Sequence, residues 1–177
     1  MSQEDILVPL VKRLCVAHCW RDARHVKEPF TRAKLAEHIA GTHRYGLAPI
    51  KPGESTTRVG LLDLDSHDGA APWEEMLSLA DDLAFTLRQF NLEPALFRSS
   101  GGKGIHIITL WDAPQDAHSV RALMRSALHA CGCSAGTAGV AKHEVEVFPK
   151  QSKVDADAYG SMFALPLCGN TKSEVLK

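Results

Sequence analysis

Val59-Gly60-Leu61-Leu62-Asp63-Leu64-Asp65 reads as a buried strand that ends in two carboxylates. Side chains alternate faces along a strand, so Asp63 and Asp65 point the same way, about 7 Å apart, while Leu62 and Leu64 point into a core. Two carboxylates on one face at a strand end can hold a hard divalent cation, often as a pair of ions. A purely structural strand has little reason to place two like charges there.

Outward from this strand the pattern is regular. Pro72 opens a helix whose stripe is Trp73, Met76, Leu77, Ala80, Leu83, Ala84, Leu87 and Phe90. Residues 94–99 read as a strand, a glycine turn follows, and residues 104–110 read as a second strand. Asp116 or Ser119 caps another helix, with Val120, Leu123, Met124, Ala127 and Leu128 inward and Gly132 at its end. Residues 132–141 read as a flexible connection. Glu144-Val-Glu146-Val-Phe148 alternates with period two, and residues 161–167 form a last short strand. The order β-α-β-β-α-β is the ferredoxin-like α+β arrangement, an antiparallel sheet with two helices on one face and the other face open. Polymerase palms and RRM modules share this layout, so the fold alone does not choose a function.

Upstream, Leu7, Leu10, Val11, Leu14 and Cys15 give residues 5–20 a helical period, with Pro9 tolerable only near the first turn. Thr31 caps a short helix through Ile39 that Gly41 stops, and residues 46–57 read as a loop. The expected organisation is a helical or α/β N-terminal subdomain over residues 1–57, with helix expected to dominate it, and an RRM-like palm over 58–177, one compact domain overall.

The 177 residues, 45% of them hydrophobic, can bury a sizeable core. No apolar run is long enough to span a membrane, and the acidic start MSQEDILVPL does not resemble a signal peptide, so a soluble cytoplasmic protein is expected. Five cysteines at irregular spacing argue against a disulfide framework. Cys15, His18, Cys19 and His25 with Cys131 and Cys133 could supply zinc ligands, but no CxxC is present and reduced structural thiols are the expectation. The net charge of −1 hides an uneven distribution: residues 12–34 carry seven Lys/Arg against two acids, and residues 63–82 carry seven acids and no Lys/Arg. Solvated helix faces account for this; a basic platform for a phosphate backbone beside an acidic metal site is the sharper reading.

Two further groups could converge with the aspartates on the open face. Glu144 and Glu146 share one face of their strand, and three carboxylates with open positions suit Mg2+ or Mn2+. The other group is Arg98-Ser-Ser100-Gly101-Gly102-Lys103-Gly104-Ile-His106. Its glycines let backbone N–H groups approach a ligand, Arg98 and Lys103 add positive charge, and His106 follows on the strand. The spacing is not that of a P-loop, which precedes a helix.

Together these residues resemble the catalytic core of the archaeo-eukaryotic primase superfamily, in particular primase-polymerases of plasmids, phages and mobile elements. The Asp63-Leu-Asp65 strand end, the Ser100-Gly-Gly-Lys-Gly-Ile-His106 hairpin and an acid on a later strand, Glu146, match its three motifs in order. A Gly46-Leu-Ala-Pro49 segment, a Phe148-Pro-Lys-Gln151 step and an Ala164-Leu-Pro-Leu167 strand extend the likeness over roughly residues 40–170. The resemblance implies template-directed nucleotidyl transfer from NTPs or dNTPs on single-stranded DNA, to make or extend primers. It implies two Mg2+ or Mn2+ ions held by Asp63, Asp65 and Glu146, with Glu144 as the alternative third ligand, and no organic cofactor. Ser100, Lys103 and His106, with the glycines of the hairpin, would contact the triphosphate. Arg98, Lys150 and Gln151 would add contacts to nucleotide or template. A helicase or further domain is the expected source of extra template grip, because phosphate neutralisation dominates such affinity.

Two other classes use the same layout. An RRM-like binder stacks bases on sheet aromatics, but the strand Gly-Ile-His-Ile-Ile-Thr-Leu has none. A palm-type nucleotide cyclase or phosphodiesterase would use the same acids to give a cyclic or hydrolysed product.

Overall fold

The computed structural model describes residues 1–177. The chain runs α1 (Gln3–Val11), β1 (Cys15–Arg21), β2 (Arg24–Val26), α2 (Arg32–Ala40), β3 (Tyr45–Ala48), β4 (Thr56–Asp65), α3 (Trp73–Gln89), β5 (Ala95–Arg98), β6 (Gly104–Asp116), α4 (Ala117–Ala130), β7 (Ser134–Ala135), β8 (Glu144–Phe148) and β9 (Phe163–Ala164). Short 3-10 turns follow β4 and precede β8.

The strand with the two aspartates, β4, is central in a five-stranded sheet ordered β5-β6-β4-β8-β7. Its β4-α3-β5-β6-α4-β8 path is the ferredoxin-like one, and β4 pairs antiparallel with both β6 and β8. Alternation assigns the faces. Leu62, Leu64, Ile105, Ile107, Val145 and Val147 pack with Met76, Leu83, Leu87, Met124 and Leu128 of α3 and α4. Asp116 caps α4, its carboxylate accepting from the Ser119 N–H at 2.8 Å.

The opposite face is not open, as the sequence pattern had implied. Val59, Leu61, Phe97, Ile108 and Phe148 on that face pack with Leu7, Leu10, Tyr45, Leu47, Phe163 and Leu165. A second sheet, ordered β2-β1-β3-β9, supplies much of this cover. An apolar half-face cannot stay in water when burial is worth roughly 25 cal/mol per Å2. Only the end of the face that carries the acids is left polar.

Two further expectations are corrected. Residues 5–20 are not one helix: α1 ends at Val11, with Pro9 in its last turn, and Cys15 begins a strand. Of the two forms expected for the N-terminal part, it takes the α/β one, and helix does not dominate it. A spacing of four, as between Cys15 and Cys19, satisfies a strand as well as a helix, and both thiols are buried on β1. The last strand does not extend the palm sheet; β9 pairs with β3, so the C-terminal segment completes the sheet that residues 1–57 begin. Buried His38 ties the two segments: its Nδ1 accepts from the Tyr45 N–H at 3.1 Å, and its Nε2 then donates to the Pro166 carbonyl at 3.0 Å. No helix is long and apolar enough to cross a membrane.

Candidate active site

Strand register brings the polar end of the face into one row. Phe97 on β5 lies opposite His106 on β6, His106 opposite Asp63 on β4, and Asp63 opposite Glu146 on β8. One row back, Leu61 is flanked by Ile108 and Phe148. One row forward, Asp65 lies opposite Gly104. The acids thus sit at the margin of an apolar core, and their protonation follows from that.

Burial first, and then the Glu146 charge, push the Asp63 carboxyl up to about 7, with Lys150 pulling it back. Burial and then the Asp63 charge raise Asp65 as well. Burial holds His106 down to about 4 against the pull of Asp65, so its imidazole is neutral at neutral pH. His106 Nε2 is 3.4 Å from Asp63 Oδ1, yet Asp63 Oδ1 and His106 Nδ1 are buried with no hydrogen-bond partner. Buried polar atoms are rarely left so, and a bound ion or water is one way in which such atoms are satisfied.

The hairpin between β5 and β6 is closed by the Ser99 N–H on the Gly104 carbonyl at 2.8 Å and the Gly104 N–H on Ser99 Oγ at 3.0 Å. The N–H groups of Ser100, Gly101 and Lys103 donate to no protein acceptor. Gly102 needs its positive φ of 77° and lies against the Lys172 side chain. This lysine lies beyond the last strand expected at 161–167, in a segment with no motif to mark it. The tail runs beside β5, with the Arg98 N–H on the Glu174 carbonyl and the Leu176 N–H on the Leu96 carbonyl.

A Cβ on Gly104 would come within 2.7 Å of the Leu64 carbonyl oxygen, 3.0 Å of Asp65 Oδ1 and 3.1 Å of Ser99 Oγ. Gly104→Ala is therefore expected to lower stability by about 1–3 kcal/mol in urea unfolding. Gly101→Ala, with nothing within 4 Å, should stay within about 0.5 kcal/mol.

The remaining residues fall into two groups. Lys150 joins the row: its Nζ lies 2.7 Å from Glu146 Oε2 and over the Phe148 ring. Three others are engaged elsewhere. Arg98 is on the helix-side face, its guanidinium 4.2 Å from the Trp73 ring centroid, with Nε donating to the Gly102 carbonyl at 3.0 Å. There it braces the hairpin from behind. Gln151 holds Ser161, by its Nε2 on Ser161 Oγ at 2.8 Å and its Oε1 accepting the Ser161 N–H. Glu144 turns to the adjoining loop and accepts the Ala138 N–H at 2.8 Å. Of the two glutamates, Glu146 is the one facing Asp63.

As they stand, no three His, Cys, Asp or Glu side chains close around a common point that could hold a metal ion. The donor chemistry nonetheless suits a hard cation. Asp63 has an oxygen without a partner, Asp65 shares its face, and the Glu146 carboxylate is held by an ammonium in the place where a cation would neutralise it.

The antiparallel βαββαβ sheet, the acidic row at its polar end and the glycine hairpin beside it bring together the three motifs that resemble those of archaeo-eukaryotic primases. The chain belongs to the archaeo-eukaryotic primase domain family of TOTE conflict systems, whose family model matches residues 9–175. Among curated proteins none matches it. Among solved structures it is similar to the polymerase domain of Mycobacterium tuberculosis ligase D in complex with DNA, at 14% identity and a TM-score of 0.45. That match covers 70% of this chain and 46% of the other, so the chain spans about half the length of that structure.

Proposed function

We propose that this chain catalyses template-directed nucleotidyl transfer from NTPs or dNTPs, making or extending primers on single-stranded DNA. The observation that carries the reading is the row His106–Asp63–Glu146, with Asp65 one step on and an unpartnered Asp63 oxygen at its centre. A binding module has no use for desolvated acids that repel phosphates. Two Mg2+ or Mn2+ ions held by Asp63, Asp65 and Glu146 would activate the attacking hydroxyl and neutralise the triphosphate.

The chain's own residues position the reactants. Lys103 and the free N–H groups of the 100–103 turn receive phosphate oxygens. Neutral His106 offers one N–H without adding charge, and the Phe97 and Phe148 side of the face excludes water from Asp63. Lys150 balances Glu146 until a cation replaces it. Positioning and charge neutralisation account for most of the catalysis expected of such a site.

The test is an incubation with single-stranded DNA, Mn2+ and either NTPs or dNTPs, with and without a primer. Products whose sequence follows the template are expected. A cyclic or hydrolysed nucleotide with no template-dependent chain would overturn the reading in favour of a cyclase or phosphodiesterase.

A further inference from the structure

A second cationic site lies on the other side of the acidic row from the hairpin. β7 pairs only with Glu144 and Val145, so the edge of β8 beyond them carries no partner strand. Along that edge a cavity of about 310 Å3 is lined by Arg121, Arg125, Thr137, Glu146, Val147 and Lys150. Glu146 and Val147 point to opposite faces of the sheet, so a cavity touching both runs along the strand's edge, and Glu146 is where it meets the acidic row. Arg121 and Arg125 are one helical turn apart on α4 and share a face.

The charges in this cavity do not balance. Its one carboxylate, Glu146, is matched by Lys150 at 2.7 Å. Neither arginine has an acidic partner: each ion pair formed by an arginine in the structure involves Arg13, Arg32, Arg88 or Arg98. Arg121 is fixed in place all the same, donating to the Lys150 carbonyl and, at 2.9 Å, to Ser152 Oγ. A held guanidinium and a free one converging on a concave site are suited to bind an oxyanion, and guanidinium matches phosphate geometry. The net charge of −1 makes such a local excess a feature of the site rather than of the whole surface.

The position selects among phosphates. Strands lie about 4.8 Å apart, so β6 and β8 flank β4 with about 10 Å between them. The hairpin on the β6 side already offers Lys103 and unpaired N–H groups for a triphosphate. A phosphate on the β8 side would reach the acids from the opposite direction, as the strand to be extended must for an in-line displacement. We propose that Arg121, Arg125 and Lys150 bind a backbone phosphate of the nucleic-acid strand being extended. The identity of that strand rests on the function proposed above; the anion site itself does not.

Arg125 is the clean probe, because it is exposed and makes no bond that folding needs. Binding of a 5′-fluorescein primer–template with a recessed 3′ end would be followed by anisotropy, without nucleotide, from about 50 to 200 mM salt. Arg125→Glu is expected to weaken binding by about tenfold and to lower the salt slope by about one to two, while Arg125→Lys, which keeps the charge but not the planar fork, weakens it less and keeps the salt slope. Affinity for Mn2+-dATP, read by thermal shift, should not change. Unchanged DNA affinity in Arg125→Glu would overturn the proposal, and so would an equal loss of nucleotide affinity, which would give the cavity to the triphosphate. If the wild type incorporates no nucleotide yet Arg125→Glu loses the strand, the anion site stands and the catalytic reading falls. If the wild type incorporates and the variant binds as before, the reverse holds.

Discussion

Replacing Asp63 by asparagine is expected to lower template-directed incorporation by about 1000-fold or more, because loss of one preorganised donor already costs roughly 100- to 1000-fold. Asparagine keeps the size and polarity of the side chain, so circular dichroism should not change. The same substitution should stabilise the metal-free protein, and the pH dependence gives the reason. Between the ordinary carboxylate value of 3.8 and about 7, folded Asp63 keeps a proton that the unfolded chain has released. The contribution of this group to stability therefore falls as pH rises through that window. His106 acts with the opposite sign. Its folded value is about 4 against an ordinary 6.5, so its contribution rises with pH between those values. The two slopes oppose each other in the wild type, and the difference between wild type and Asp63→Asn isolates the carboxylate. That difference should grow from pH 4 and level off above about 7. It is on the order of a few kcal/mol, or roughly 5–10 °C in a domain of this size. Mn2+ at pH 8 should raise the melting temperature of the wild type and not of the variant. Retained incorporation, or a variant no more stable than wild type at pH 8 without metal, would remove Asp63 from the centre of the site.

The parts of this architecture that were legible in the sequence are those with an unambiguous period. The α3 and α4 stripes, the two-residue alternation of β8 and the β4 run each admit one structure, and their order defines the palm. What escaped was set by long-range packing or by spacings that fit two periods. Cys15 and Cys19, four apart, suit a helix and a strand equally, and only pairing with β3 decides between them. The short β9 has no local signal for which sheet it joins. The covered half of the sheet did have one: Val59 and Leu61 precede Asp63 on its own face, and an apolar half-face needs a partner. Alternation also placed Arg98 on the opposite side from Phe97, and so away from the acids. The Arg121–Arg125 pair was visible as an i, i+4 repeat, but it gains meaning only when α4 is laid against the unpaired edge of β8.

The glutamates of β8 give the second large effect. In an isolated Glu-Val-Glu they are equivalent, since both fall on one face. Register separates them. The β4–β8 ladder ends on the pair Asp63 and Glu146, and beyond it β7 takes over the pairing of Glu144. The Glu144 carboxylate is then used locally, accepting the Ala138 N–H at 2.8 Å and lying against Gly136. Glu146 instead faces Asp63 and is balanced by the Lys150 ammonium at 2.7 Å. Glu146→Gln should therefore lower incorporation by about 100-fold or more, because the lost carboxylate is one that would hold the cation and so supply charge neutralisation at the transferring group. It should also blunt the rise in melting temperature that Mn2+ produces. Glu144→Gln keeps a carbonyl oxygen for the Ala138 N–H and is expected to stay within about threefold in rate, with a stability change of about 1 kcal/mol or less. Steady-state incorporation and Mn2+ thermal shifts on both variants decide the matter. The opposite pattern, with Glu144→Gln inactive and Glu146→Gln active, would mean that the 136–138 loop moves aside on cation binding and that the third ligand comes from the next row of the sheet.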